Sequence, residues 1–172
     1  ARRWTQRYPP AASETNVGIM GLGVLGADAA QKLIGLGFRV LGWSRSPKQI
    51  DGMQTFAGDQ LDAFLGETDI LCCLLPLTPD TTGILNYGLF QKLRRKLDGG
   101  PVIVNAARGG HQIETDIVKA LGDGTLGAAS LDVFQTEPLP TDSPLWGLDN
   151  AYLSSHIAAI SNIDAGVRYF AP

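Results

Sequence analysis

From Asn16 onward, short apolar runs alternate with stretches whose apolar residues recur at helical spacing. The runs at 16–20, 39–43, 70–75, 102–105, 128–133 and 152–154 read as strands. Several are apolar at consecutive positions, the pattern of strands buried on both faces rather than of half-exposed hairpins. Between the first two, Leu25, Ala29, Ala30, Leu33 and Ile34 make one helical stripe, stopped by Gly35 and Gly37. Further helices are expected at 60–65, 87–96 and 114–121. Strand then helix, repeated, predicts an α/β fold with a doubly wound parallel sheet covered on both faces.

The ends of the chain depart from this rhythm. Residues 1–13 carry Arg2, Arg3, Arg7, Pro9 and Pro10 without a period, which predicts a linker rather than a core element. Ser161 and Asp164 have the spacing of a capping box, so a helix is expected to start within 161–172. The repeating unit itself covers 14–160, and the two flanks are expected to lead to and from a further domain outside the chain.

Charge and cysteines narrow the classes of function. Fourteen Lys plus Arg against seventeen Asp plus Glu give a formal net charge of −3. That leaves no overall basic field to hold a phosphate backbone, so nucleic acid is not an expected partner. Cys72 and Cys73 are adjacent in an apolar run, where they supply neither a staple between distant segments nor metal-ligand spacing. They are expected to point to opposite faces of a strand and to pack as small hydrophobes. The longest apolar run, residues 70–77, contains Pro76 and falls short of the roughly 18–20 residues of a membrane helix. With no leader peptide read at the start, the expectation is a cytoplasmic protein without a metal or a membrane partner.

Glycine is the unusual component, 21 of 172 residues, or about 12% against a usual share of about 7%. Gly21-Leu22-Gly23-Val24-Leu25-Gly26 fits G-x-G-x-x-G, follows an apolar strand and opens an amphipathic helix. That context is the one a dinucleotide-binding turn of a Rossmann domain requires. Gly21 would allow the tight turn, Gly23 the approach of a pyrophosphate and Gly26 close packing of helix on strand. Unpaired helix N–H groups would then face the anion. An acidic residue normally stands at the tip of the second strand to bind ribose hydroxyls. Here that strand ends in Ser44-Arg45-Ser46. A guanidinium flanked by hydroxyls suits a 2′-phosphate through charge-assisted bonds, so NADP(H) is the expected cofactor, with NAD(H) the alternative.

Three further polar groups stand just after later strands, the end where doubly wound sheets bind ligands. They are Arg108 in Ala106-Ala107-Arg108-Gly109, Glu137 in Gln135-Thr136-Glu137-Pro138-Leu139, and His156 in His156-Ile157-Ala158-Ala159. With these in place, the chain resembles the D-isomer-specific 2-hydroxyacid dehydrogenases, most closely the glyoxylate/hydroxypyruvate reductases among them. The matching segments are GIMGLGVLG, GWSRS, LPLTPDTTGILN, NAARGG, LDVFQTEPLP and SSHIAA, in the family's order and spacing. The resemblance implies that Arg108, Glu137 and His156 form a catalytic trio. It also implies that Leu75, Pro76, Ala106 and Ala107 line the cofactor, with Asp132 near the nicotinamide and Ala158 beside it. A small 2-oxo acid as substrate and a homodimer as the working form are implied in the same way. The chain departs from the family in having Ser155 where Pro commonly precedes the histidine, and in lacking the family's substrate domain.

The chemistry of these residue types points the same way, because reducing a 2-oxo acid needs a carboxylate clamp, a hydride donor and a proton donor together. Arg108 can hold a carboxylate bidentately, His156 can donate a proton near neutrality, and Glu137 can orient the imidazole. Singly, each has a structural alternative: a surface arginine, a loop glutamate, a core histidine. His111 reads as a surface loop residue. Two other functions share part of the pattern. Dehydrogenases of the 3-hydroxyisobutyrate type open with a similar glycine turn but use a lysine-centred site, and nucleotide-sensing corepressors keep both the fold and the trio.

Overall fold

The computed structural model describes residues 10–159. Residues 1–9 of the linker expected over 1–13, and the helix expected within 161–172, lie outside the described residues; within 10–15, Ala12–Glu14 form a short 3-10 turn ahead of the first strand. Seven strands, β1 (Asn16–Met20), β2 (Arg39–Ser44), β3 (Gln54–Ala57), β4 (Ile70–Cys73), β5 (Val102–Asn105), β6 (Ala128–Leu131) and β7 (Ala151–Leu153), form one sheet. Every pairing is parallel and the spatial order is β3-β2-β1-β4-β5-β6-β7. The helices are α1 (Val24–Gly35), α2 (Leu61–Gly66), α3 (Tyr87–Phe90) and α4 (Glu114–Gly122). The expected doubly wound α/β fold is therefore observed.

Alternation along each strand sends successive side chains to opposite faces. Ile19, Val40, Cys72 and Leu74 pack under α1 with Leu22, Ala30, Leu33 and Ile34. Met20, Leu41, Cys73, Ile103 and Leu131 pack under Phe64 and Leu65 of α2, Phe90 of α3, and Ile117, Ala120 and Leu121 of α4. The two neighbouring cysteines thus lie in different apolar clusters, and burial pushes their thiols up to about 11 for Cys72 and about 12 for Cys73. Both are held as inert thiols. β1 is buried along its whole length, whereas β4, β5 and β6 alternate buried with half-buried positions.

Four expectations shift. The helix expected over 87–96 stops at Phe90, because the backbone N–H of Arg94 is captured by the carbonyls of Leu65 and Thr68. Arg94 also directs its guanidinium to the buried Asp69. β3 escapes the periodicity, since in this short edge strand only Phe56 is buried. β4 and β6 end two residues early at Cys73 and Leu131, where the chain turns out toward the sheet edge. Leu25 leaves the buried stripe: it is 64% exposed and the inward face of α1 starts at Gly26 instead.

Close approach of backbone sets one position firmly. A Cβ on Gly109 would lie 1.8 Å from the carbonyl oxygen of Phe134, which belongs to a neighbouring loop. We expect Gly109→Ala to destabilise the fold by about 3 kcal/mol, because backbone must move. Gly35→Ala, where a Cβ meets nothing within 4 Å, should change stability by less than about 1 kcal/mol. Denaturant midpoints of the two variants test this, and equal midpoints would show that the loops carrying Gly109 and Phe134 are not packed as described.

Candidate active site

All seven strands run the same way, so their C-terminal ends deliver Gly21, Ser44, Leu74, Ala106, Asp132 and Ser154 to one edge of the sheet. The strand order reverses at β1, and the crevice above it is where open α/β sheets take ligands. The three glycines of the turn are required for three different reasons. Gly21 has φ 101° and would place a Cβ 2.6 Å from the Leu74 carbonyl oxygen. Gly26 would place one 1.9 Å from the Gly21 carbonyl oxygen, so α1 can close onto the turn only without it. At Gly23 a Cβ would meet no protein atom within 4 Å, so its bareness serves the open groove and not the packing. Gly23 is also the N-cap of α1, with no side chain closing the first turn. N–H groups there are free to meet an anion.

A groove runs from this turn in two directions. Toward β2 it is lined by Gly21, Gly23, Ser44, Arg45, Ser46, Leu75 and Pro76. Toward β5 it is lined by Val24, Leu25, Gly26, Ala106, Ala107 and Arg108. Val24 and Leu25 are 89% and 64% exposed, apolar side chains facing the groove instead of the core. At the β2 tip the Ser44 hydroxyl donates to the Ser46 carbonyl at 2.8 Å, tightening the turn that presents Arg45. Arg45 is exposed and among the described residues has no acidic partner. Sequence reasoning missed Lys48, which lines the same groove and donates to the Leu22 carbonyl at 2.6 Å. The signal was a second cation three residues after Arg45 on the same loop. These features fit an anionic dinucleotide: an unobstructed turn, free amides and two cations on the loop after β2, with one carboxylate, Asp80, among the residues lining the same groove.

The remaining candidates sit farther along the edge. His156 Nδ1 and Glu137 Oε2 are 2.8 Å apart, and the pair lines a cleft with Phe134, Leu139, Trp146 and Leu153. The other Glu137 oxygen accepts the Phe134 N–H at 3.0 Å. The bond to His156, followed by that from Phe134, holds the Glu137 carboxyl below its ordinary value. His156 itself has φ 56°, a left-handed conformation uncommon for a side chain of its size. Asp132 holds it there. The backbone N–H of His156 donates to the Asp132 carbonyl at 2.8 Å, while the carboxylate accepts from Ser154 Oγ at 2.5 Å and from the Ile157 and Ala158 N–H groups at 2.9 Å each. Burial alone would raise the Asp132 carboxyl, but these bonds and the nearby His156 bring it below its usual range.

Asp132 and Ala158 are therefore engaged with each other, and neither lines the two clefts. Arg108 lines the glycine groove, not the cleft of Glu137 and His156, and its Nη1 rests on the Ala107 carbonyl at 2.6 Å. His111, read as a surface residue, is fully buried, with Nδ1 3.1 Å from the Arg108 carbonyl oxygen. The loop turns inward after Gly109, held by the packing of Gly109 against Phe134 and by the Gly83 and Leu85 N–H groups, which donate to the Gly110 and His111 carbonyls at 2.9 Å each. Among the described residues no group of three or more His, Cys, Asp or Glu could hold a metal ion, and no helix is long and apolar enough to cross a membrane.

A parallel sheet whose switch point carries an open glycine turn defines the class of dinucleotide-binding domains. More narrowly, the chain belongs to the D-isomer specific 2-hydroxyacid dehydrogenases, whose NAD binding domain matches residues 1–158. It is 48% identical over 161 residues to glyoxylate/hydroxypyruvate reductase A of Serratia proteamaculans, covering 93% of this chain and 50% of that protein. Among solved structures, it superposes with a TM-score of 0.92 and 56% identity on a probable 2-hydroxyacid dehydrogenase from Rhizobium etli in complex with NADP, HEPES and L(+)-tartaric acid, covering 98% of this chain and 53% of that one. An NADPH-dependent glyoxylate/hydroxypyruvate reductase from Sinorhizobium meliloti, in complex with NADP and sulfate, gives a TM-score of 0.93 and 52% identity over 96% of this chain and 53% of that one. The chain spans about half the length of these relatives.

The pH behaviour of the pair follows from the Glu137 bonds. A carboxyl that titrates lower when folded binds fewer protons in the folded state, so its contribution to stability is present above its ordinary value of 4.5 and is lost as the pH falls through the folded value. A carbon-detected NMR titration should find the Glu137 midpoint below 4.5 in the parent and closer to it in His156→Ala. The same midpoint in both proteins would mean that the 2.8 Å contact is not formed in solution.

Proposed function

We propose that the chain is the cofactor-binding half of an NADPH-dependent reductase that converts glyoxylate, hydroxypyruvate or a similar small 2-oxo acid to the D-2-hydroxy acid. The observation that carries this reading is the Glu137–His156 pair at 2.8 Å on the same strand edge as the open glycine turn. Proteins named glyoxylate/hydroxypyruvate reductase among the relatives, and NADP in two of the superposed structures, support it. In this reading residues 14–160 form the dinucleotide-binding domain, and a substrate domain completes the enzyme. A cytoplasmic homodimer belongs to the same reading; exposed Trp146 and Tyr152 near β7 supply apolar surface for such an assembly to cover.

Reduced nicotinamide, when bound along the glycine groove, would supply hydride for the carbonyl carbon of the 2-oxo acid. From this chain, Arg108, Glu137 and His156 are the polar groups that would act around it. Arg108, once its guanidinium swings from the Ala107 carbonyl, offers two parallel N–H donors to the substrate carboxylate and polarises the adjacent carbonyl. Glu137 accepts at Nδ1 of His156, which leaves Nε2 as the atom that gives its proton to the developing alkoxide. The product is the hydroxy acid, and the imidazole is left neutral to be reprotonated from water. Adenosine phosphate recognition falls to the β2 tip, where Ser46 and the cations Arg45 and Lys48 line the groove.

Two experiments test the reading. In the complete enzyme, Arg108→Ala should chiefly raise KM for hydroxypyruvate, and His156→Ala should chiefly lower kcat, by about a hundredfold or more. If both variants turned over at the parent rate, the assigned roles would be wrong. For the cofactor, a charge-assisted bond realised only with the 2′-phosphate corresponds to about a tenfold to hundredfold preference. Arg45→Ala should weaken NADPH by that factor and leave NADH nearly unchanged in calorimetric titrations. Equal losses for both cofactors would remove Arg45 from phosphate recognition.

A further inference from the structure

The loop that carries Arg108 and the loop that carries Glu137 are joined by a buried polar relay. Asn105 and Gln112 are both fully buried amides. Asn105, the last residue of β5, accepts the Ala107 N–H on Oδ1 at 3.1 Å and donates from Nδ2 to the Arg108 carbonyl at 3.2 Å. Its Nδ2 also donates to Gln112 Oε1 at 2.8 Å. Gln112 Nε2 in turn donates to the Val133 carbonyl at 3.0 Å and to Glu114 Oε1 at 3.3 Å. The contacts return from the other side. Gln135 Nε2 donates to the Gln112 carbonyl at 2.9 Å, and the Gln135 N–H donates to Glu114 Oε1 at 2.8 Å.

The polarity of this relay has one solution. Ala107 can only donate, so Asn105 must present oxygen to it and nitrogen to Gln112. Gln112 must then present oxygen to Asn105 and nitrogen to Val133. Turning either amide over would set donor against donor at one end and acceptor against acceptor at the other. A buried amide with every position committed is expensive to displace, because an unpaired group there loses its hydration without replacement. Val133 is followed by Phe134, whose N–H holds Glu137, and Glu137 holds His156. Arg108 stands at the opposite end.

We propose that Gln112 is a positioning residue that fixes the Arg108 loop against the Glu137 loop, and so sets the substrate clamp relative to the proton donor. The proposal rests on the function argued above for Arg108 and His156, but its structural half stands without it. Gln112 touches neither the groove nor the cleft. Its effect passes through Val133 and Phe134 on one side and Asn105 on the other.

The experiment uses Gln112→Met, which keeps the length of the side chain and removes its hydrogen bonds, with Gln135→Ala as an exposed second variant that removes one strut of the same relay. Two readouts are taken on each. The first is the NMR titration of Glu137, which should move up toward its ordinary value in Gln112→Met and by a smaller step in Gln135→Ala. The second is steady-state reduction of hydroxypyruvate by the complete enzyme, where Gln112→Met should lower kcat about tenfold and raise KM as well, since a displaced loop misaligns both partners. If Gln112→Met does not fold, the smaller shifts in Gln135→Ala carry the test. Parent-like Glu137 titration with parent-like kcat and KM in folded Gln112→Met, or in Gln135→Ala where only that variant folds, would overturn the proposal. If the parent itself reduces no 2-oxo acid, the functional reading fails and the Glu137 titration alone decides the positioning role.

Discussion

Parallel pairing of β1 between β2 and β4 is the constraint from which the rest of the molecule follows. Parallel neighbours cannot be joined by tight turns, so each strand must be followed by a crossover that returns the chain to the same starting edge. The apolar faces of those crossovers cover the sheet, and the irregular segments that begin each one accumulate at the opposite edge. Glycine turn, cationic tip, arginine loop, glutamate loop and histidine loop are the first residues after β1, β2, β5, β6 and β7 respectively. Their gathering at one edge is a consequence of strand direction, independent of any attraction among them.

What the sheet brings near, local polar contacts then aim. The loops of the edge anchor Leu75, Ala107 and Phe134 in the core and are aimed by carboxylates and amides acting on backbone. Asp132 collects three donors from 154–158 and accepts a fourth on its carbonyl. That set keeps His156 in a left-handed conformation that free peptide would seldom adopt. Glu137 repeats the device with one oxygen on Phe134 N–H and the other on the imidazole. Each carboxylate is thereby stabilised as an anion, so the charges that position the proton donor persist throughout the neutral range. Placement of chemistry and protonation of the placing groups are one arrangement.

Residues whose role depends on near neighbours in the chain were legible without coordinates. The glycine turn is such a case, because φ at Gly21 and the contact between Gly26 and Gly21 are matters of six residues. The β1, β5, α2 and α4 spans agree to within a residue, since each carries a strong apolar period bounded by polar or glycine signals. The adjacent cysteines also followed from period alone. Where the reading slipped, a distant partner decided the outcome. α3 ends because Leu65 and Thr68 take the Arg94 amide, and His111 turns inward with a loop held by Gly109 on Phe134 and by the Gly83 and Leu85 amides.

The sequence by itself determined six of the seven strands, the parallel architecture, the open turn and the residue types that carry chemistry. Those depend on periodicity and on local backbone preference, which one chain states completely. Only the tertiary structure decided how the chemical groups are held: that Asp132 braces 154–158 rather than lining a cleft, that Lys48 joins Arg45, and that Gln112 ties two loops whose key residues lie 29 positions apart at Arg108 and Glu137. The physical reason is the directionality of hydrogen bonds. Burial of apolar surface is nearly indifferent to which neighbour supplies it, so a pattern suffices to foretell it. A hydrogen bond needs one particular atom at about 2.9 Å and the right angle, and that partner exists only once the chain has been folded around it.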